Sequence, residues 1–301
     1  MYLDDKANGR KAVRLNTLEG YQSAMRAHVL PRWGQVEVES VSYEDVQSWV
    51  DSFDRGAEKA AKTFRQAIRW AIAKRVVVMA DPTVGIEVTK PTRRSARVLR
   101  PGELNQLLYK CKGEPWEAAV WVQANTGLRR CEMAALTWAD VDLRSGVVHV
   151  TKGRHVVGGK VYVWGTKTEA STRDVPLPHF AVLRLRQIRK ERRARPDELL
   201  CDLRPDAMSR RFRSWCNRNG FCGFSLMQLR HTWATIAVQS GVPIEVVAMT
   251  LGHVGLEMAF QRYVTRSVDL IRAAQRKFAD TVLRAAPRDR MERHLTPVLV
   301  A

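Results

Sequence analysis

Apolar residues recur at helical spacing along most of the chain. Leu18, Tyr21, Met25 and Val29 line one face of a helix, and Ala60, Phe64, Ala67, Ile68 and Ala71 line one face of another. Between them Ser42, with Asp45 three residues on, reads as a capping box that starts a third helix. The pattern predicts helices from about Thr17 to Lys74. It breaks over Asp81 to Arg97, a stretch with two prolines, several Thr and Ser residues and the basic cluster Arg93, Arg94, Arg97. This segment is expected to be an extended linker lying on something anionic.

Helical spacing resumes at Pro101, where proline suits a first turn, and runs to about Leu136. Three strands are expected next, Val147–Thr151, Lys160–Trp164 and Arg173–Pro176, separated by turns rich in Gly, Thr and Ser. From Pro178 the pattern is helical again to about Leu283. The segment Val268–Val282 carries Ile271, Ala274, Phe278 and Val282 on one face. The expected architecture is mainly α with one small antiparallel sheet. A helical domain occupies residues 1–90 with its linker at about 81–97, a larger α+β domain occupies 98–285, and a tail follows over 286–301.

Composition sharpens the picture. At 301 residues the chain is long enough for two cores, and its 45% apolar content is ordinary for a folded protein. Its net charge of +19 is not ordinary, and a surface so positive points to a polyanionic partner. Residues 1–90 hold 14 Lys and Arg against 12 Asp and Glu, whereas residues 91–284 hold 33 against 17. The excess therefore belongs to the second domain. Only 13 of the 50 basic residues are Lys, and the planar Arg fork suits paired phosphate oxygens.

Cys111, Cys131, Cys201, Cys216 and Cys222 are odd in number and lack CxxC spacing, which argues for reduced thiols rather than a disulfide or zinc framework. The polar N-terminus and the absence of a long apolar run point to a soluble, cytoplasmic protein without a membrane partner.

Four segments of the basic domain could carry chemistry. In Thr126-Gly127-Leu128-Arg129, followed by Cys131-Glu132, a glycine ahead of an arginine near a helix start lets a phosphate approach both guanidinium and backbone N–H groups. Thr166-Lys167-Thr168 lies in the turn between two strands, and Leu229-Arg230-His231 lies within a helix. Leu251-Gly252-His253 is followed ten residues later by Tyr263. Singly, each has a bland reading as a surface ion pair, a solvated lysine or a packed tyrosine. Together, in this order and within one basic domain, they are specific.

As a set, TGLRRCE, TKT with the following STRDVPLP, LRHTWAT and LGH…Y resemble the boxes of the tyrosine recombinases, and among them the phage integrases, over about residues 15 to 285. The resemblance implies a core-binding domain and a catalytic domain that close as a C-shaped clamp on double-stranded DNA. It implies that Arg129 and Arg230 hold the non-bridging oxygens of the scissile phosphate, that Lys167 protonates the leaving 5′ oxygen, and that His253 donates to the phosphoryl group. Tyr263 would be the nucleophile that forms a 3′-phosphotyrosyl link, and Glu132 would orient the arginine. Such a link conserves bond energy, so no cofactor and no metal is needed. The implied activity is integration and excision of a mobile genome in a bacterial cell by four protomers acting through a Holliday junction, with a free monomer expected. A dimer resolvase of the Xer type, or a catalytically weak DNA-binding regulator, are the alternatives.

In two places the chain departs from the family pattern. Met227 stands where the family usually has a histidine, three residues before the second arginine, and a thioether can neither take nor give a proton. Gln228 points about 100° away on the helix, and His231 is expected to pack. Nor is there room before residue 15 for an arm-binding domain, which suggests the short form known from mycobacteriophages, acting on simple core sites. In the family a C-terminal helix docks on the neighbouring protomer, so Val268–Val282 is expected either there or against its own domain. The end, Thr296-Pro297-Val298-Leu299-Val300-Ala301, reads as a frayed tail or as a tag for a host protease.

Overall fold

The structure, a computed structural model, describes residues 1–10, 12–89, 97–166, 171–252 and 268–284. The chain divides into two compact units, Met1–Ser95 with Val157–Gly159, and Ala96–Val156 with the residues from Lys160 onward. The first contains helices α1 (Tyr2–Asn8), α2 (Leu15–Ala24), α3 (Leu30–Trp33), α4 (Tyr43–Asp51) and α5 (Ala57–Ala73). The capping box at α4 is as the sequence predicts: Asp45 N donates to Ser42 Oγ at 3.1 Å, and Ser42 N to Asp45 Oδ2 at 3.2 Å. Trp33 stacks on Phe64 at 5.1 Å and meets Trp49 edge-on at 5.6 Å, and this aromatic group centres the core.

Two local features differ from the periodicity. The helix expected through Leu18, Tyr21, Met25 and Val29 widens into a π-helical stretch at Met25–Val29 before α3. Pro31 lies two residues beyond it; it has no N–H to give and its ring crowds the preceding turn. Helix α1, which the spacing does not announce, forms because Tyr2 packs edge-on to Trp70 at 6.0 Å. The segment read as a linker is held against this unit at its start. Ile86 is buried in the core, and Gln47 exchanges two 3.0 Å hydrogen bonds with the Glu87 backbone. Arg93 and Arg94 lie outside the described residues.

The second unit contains α6 (Pro101–Lys110), α7 (Glu117–Thr126), α8 (Arg130–Met133), α9 (His179–Arg192), α10 (Pro205–Arg218), α11 (Leu226–Gln239), α12 (Ile244–Leu251) and α13 (Val268–Arg284). Its strands are β1 (Val141–Asp142), β2 (Val147–Val150), β3 (Lys152–Val157), β4 (Lys160–Gly165) and β5 (Arg173–Pro176). The expected single sheet is in fact two. Strands β1, β2 and β5 form one antiparallel sheet, with Val148 opposite Val175 and Val150 opposite Arg173, and β3 pairs with β4 in another. Strand β3 escapes the sequence reading because Gly153 interrupts its alternation. The Gly158-Gly159 turn, with φ of 53° and 76°, supplies the hairpin geometry that closes β3 on β4.

Helix α7 is the spine of this unit. Of its residues only Trp121 is not buried, so it packs all round rather than along one stripe. It ends at Gly127, whose left-handed φ of 65° stops the helix. A Cβ there would lie 2.7 Å from Leu251 Cδ2 and 2.8 Å from Trp233, so glycine is required by conformation and by packing. Helix α13 packs on its own unit: Ala274, Phe278 and Val282 enter the same core, with the Phe278 and Trp233 rings 6.2 Å apart. That resolves the two options for its apolar face in favour of the intramolecular one. Among the described residues no helix is long and apolar enough to cross a membrane. The C-terminal tail lies outside them.

Candidate active site

Where α7 stops, the chain turns through Gly127 and Leu128 into α8, and Gln123 Nε2 braces the turn on the Leu128 carbonyl at 3.1 Å. Arg129 sits at the N-cap of α8 and Glu132 at its third position, so the carboxylate reaches back to the Arg129 backbone N–H at 2.8 Å. The same carboxylate takes Arg129 Nη1 at 2.8 Å. Arg129 Nη2 donates to the Gly252 carbonyl at 2.8 Å, and the side chain remains 35% exposed.

Arg230 projects from α11 and is buried at 7% exposure. It donates to the carbonyls of Gly127 and Leu251, each at 3.0 Å. Arg173, the first residue of β5, was not singled out from the sequence, although STRDVPLP was. It joins the same cluster, with Nη1 and Nη2 on the two oxygens of Glu132 at 3.3 and 3.0 Å and Nε on the Thr250 carbonyl at 2.7 Å.

These contacts place three arginines on three consecutive carbonyls, those of Thr250, Leu251 and Gly252. They are the last carbonyls of α12 and its cap, which have no partners within the helix and form its negative end. Helix α12 has no basic residue of its own in its last turn, so cations from three distant segments satisfy it. Gly252, at φ 65°, leaves room for this: a Cβ would stand 3.0 Å from Arg173 Nη1.

The cluster carries more positive than negative charge. Three guanidiniums face one carboxylate, Glu132. Burial, followed by the charge of Arg129, lowers the Arg230 pKa to about 10, which still leaves it charged at neutral pH. Burial works to raise the Glu132 pKa, but the charge and hydrogen bonds of Arg173, with those of Arg129, outweigh it and hold the carboxyl below its ordinary 4.5. Glu132 therefore serves two arginines, not the single one expected.

The sign of this effect gives a prediction. A lowered folded-state pKa contributes stability that is fully present above about pH 4.5 and is lost as the pH falls through the lowered value. Glu132→Gln should cost about 3 kcal/mol between pH 5 and 7, since it leaves buried arginine charge uncompensated. Urea titrations should show the gap to wild type closing below pH 4.5; a gap that stays constant into acid would refute it.

The remaining expected residues fall as follows. Met227, second in α11, is 54% exposed, one turn from buried Arg230. His231, expected to pack, is exposed because it follows Arg230 onto the outer side of α11. Arg97, grouped with the linker cations, donates to the Cys222 carbonyl and lies 3.8 Å from Glu103, so its guanidinium ties parts of its own unit together. Lys167, His253 and Tyr263 lie outside the described residues. Their chain neighbours are placed: Thr166 N donates to the Thr151 carbonyl at 3.1 Å just before Lys167, and Gly252 immediately precedes His253.

A model of the phage integrase family matches residues 97–269. The integrase of Salmonella phage P22 is 31% identical over 199 residues, 64% of this chain and 49% of that protein, so the chain spans about half the length of this relative. The integrase of Mycobacterium phage D29 is 25% identical over 260 residues, 81% of this chain and 69% of its own. Among solved structures, the Tn1549 transposon integrase in complex with transposon right end DNA has the same fold, with a TM-score of 0.72 at 19% identity over 92% of this chain and 98% of that one.

Proposed function

The chain belongs to the phage integrase family, and from that premise we propose that it is a site-specific DNA recombinase that integrates and excises DNA at short core sites. One observation carries the reading. Arg129 and Arg230 converge beside the end of α12, with more positive charge than Glu132 offsets, immediately before His253. A scissile phosphodiester supplies the missing negative charge, and guanidinium forks match its non-bridging oxygens.

In this reading Arg129 and Arg230 bind those oxygens and stabilise the charge that grows on them. The Tyr263 hydroxyl attacks phosphorus and releases its proton to solvent, the bond to the 5′ oxygen breaks, and Lys167 delivers the proton that the leaving oxygen needs. His253 donates a hydrogen bond to the phosphoryl group. Met227 carries no proton, so proton transfer rests with Lys167 and His253. The partner is duplex DNA, assembled with four protomers during strand exchange in a bacterial host, and Arg93 and Arg94 add contacts to the DNA backbone. The reaction needs no metal and no cofactor because the phosphotyrosyl link is itself a phosphodiester.

The reading is tested on nicked duplexes tiled across the DNA flanking the gene, in which strand cleavage releases a short fragment and traps the adduct. Cleavage should leave protein on a 3′ phosphate and a free 5′ hydroxyl. Lys167→Ala should lose cleavage of ordinary DNA by about a hundredfold and regain it on a 5′-bridging phosphorothiolate, whose thiolate leaves without a proton. Equal loss on both substrates would remove Lys167 from the proton-transfer role.

A further inference from the structure

We infer that Arg173 is a positioning residue for strand cleavage, acting through Glu132 to hold the guanidinium of Arg129 at the angle the phosphate requires. The inference rests on the reading of Arg129 as a phosphate-binding group. Arg173 acts in this arrangement through protein contacts: its side chain is buried against Glu132 and the end of α12. Four of its five N–H donors are used inside the protein: Nε on Thr250, Nη1 on Glu132 and on the Ser171 carbonyl at 3.0 Å, and Nη2 on Glu132.

The geometry fixes Arg129 by elimination. Glu132 presents two oxygens, and each meets one donor from Arg129 and one from Arg173. The fork of Arg173 sets the plane of the carboxylate, since both of its terminal nitrogens must reach it. Glu132 Oε1 and the Gly252 carbonyl then take one N–H from each terminal nitrogen of Arg129. Among the described residues the second N–H on each has no protein partner, so it is open to a ligand. The same arginine grips the Thr250 carbonyl, so it ties the carboxylate to the end of α12 on which Arg129 and Arg230 rest.

Arg173 also keeps Glu132 ionised. Burial alone would raise this carboxyl, and the Arg173 charge is the largest influence lowering it. Without that charge Glu132 takes up a proton at a higher pH, and a neutral acid no longer holds Arg129 with a charge-assisted bond.

Two variants test the inference on the trapping duplex. Arg173→Met removes charge and fork, and Arg173→Lys keeps the charge but offers no planar fork. Single-turnover cleavage at saturating DNA is measured from pH 5.5 to 8.5, alongside DNA affinity and thermal midpoint. Arg173→Met should cleave about a hundredfold more slowly at pH 7, as expected for a misplaced phosphate ligand. Its rate should fall further towards acid, where wild type stays level, with affinity within about threefold of wild type. Arg173→Lys should be slow but keep the wild-type pH profile. If Arg173→Met does not fold, Arg173→Lys carries the test alone, and cleavage at the wild-type rate by a folded Arg173→Lys overturns the inference. So does an Arg173→Met profile parallel to wild type, which would mean a loss of folded protein only. Failure of wild type to form any adduct would instead count against the proposed function.

Discussion

Replacing Tyr263 with phenylalanine abolishes the covalent protein–DNA complex and leaves DNA binding within about twofold. The expected loss is complete, because the variant lacks the oxygen that forms the bond to phosphorus. A phenol attacks slowly at neutral pH, its pKa being about 10, but it leaves well, and that balance suits a link meant to be reversed. Binding draws on the many cations of the basic second domain and loses nothing with one hydroxyl. Its salt dependence should stay steep, about 0.9 log units of affinity per neutralised phosphate for each tenfold rise in salt. The measurement is an adduct that survives denaturant and comigrates with labelled DNA. If the phenylalanine variant still yields that adduct, another residue is the nucleophile.

Arg230→Ala gives the second large effect, a loss of cleavage of about a thousandfold or more. Removing one preorganised donor from a developing oxyanion costs up to about 4 kcal/mol, and this arginine is buried where water cannot substitute. It has a structural cost too, because the carbonyls of Gly127 and Leu251 lose a donor. Each unsatisfied carbonyl costs about 1–3 kcal/mol, so the thermal midpoint should fall as well. Arg230→Lys separates the two contributions. It keeps a charge but cannot span both carbonyls, so it should regain part of the stability and little of the rate. Cleavage by Arg230→Lys within tenfold of wild type would show that charge alone, not the fork, is what the phosphate needs. DNA affinity should fall less than tenfold in either variant, since one phosphate contact is lost among many.

Much of this was legible in the residues. The capping box at Ser42, the helical stripe of α5 and the bounds of β5 follow from local spacing, and local spacing is what a sequence displays directly. Arg129, Glu132 and Arg230 stand in short motifs, each within one element. Arg173 was visible in its motif, yet its partners lie 41 and 77 residues away, at Glu132 and Thr250, and only the folded chain brings them together. Helix α7 hides for the opposite reason. Buried on nearly every side, it has no polar face to give a period, so its sequence says helix but not centre. The π-helical stretch at Met25–Val29 is local, but it depends on how the turn absorbs Pro31, which a 3.6-residue template does not represent. Helix α13 shows a stripe that fits either an internal or an intermolecular surface, and the pairing of Phe278 with Trp233 decides between them.

The three carbonyls at the end of α12 also bear on how the protein is made. The ties from Arg173, Arg230 and Arg129 to that strip, and to Gly127, close chain segments of 77, 21, 123 and 103 residues. Long closures are costly in chain entropy and form late, after local helices are in place. During synthesis from the N-terminus all three arginines emerge before the strip that holds them. A nascent chain that has reached Arg230 already carries these cations, yet its guanidiniums have no common anchor. The three guanidiniums therefore gain a common anchor only once Thr250–Gly252 has been made and has packed against them.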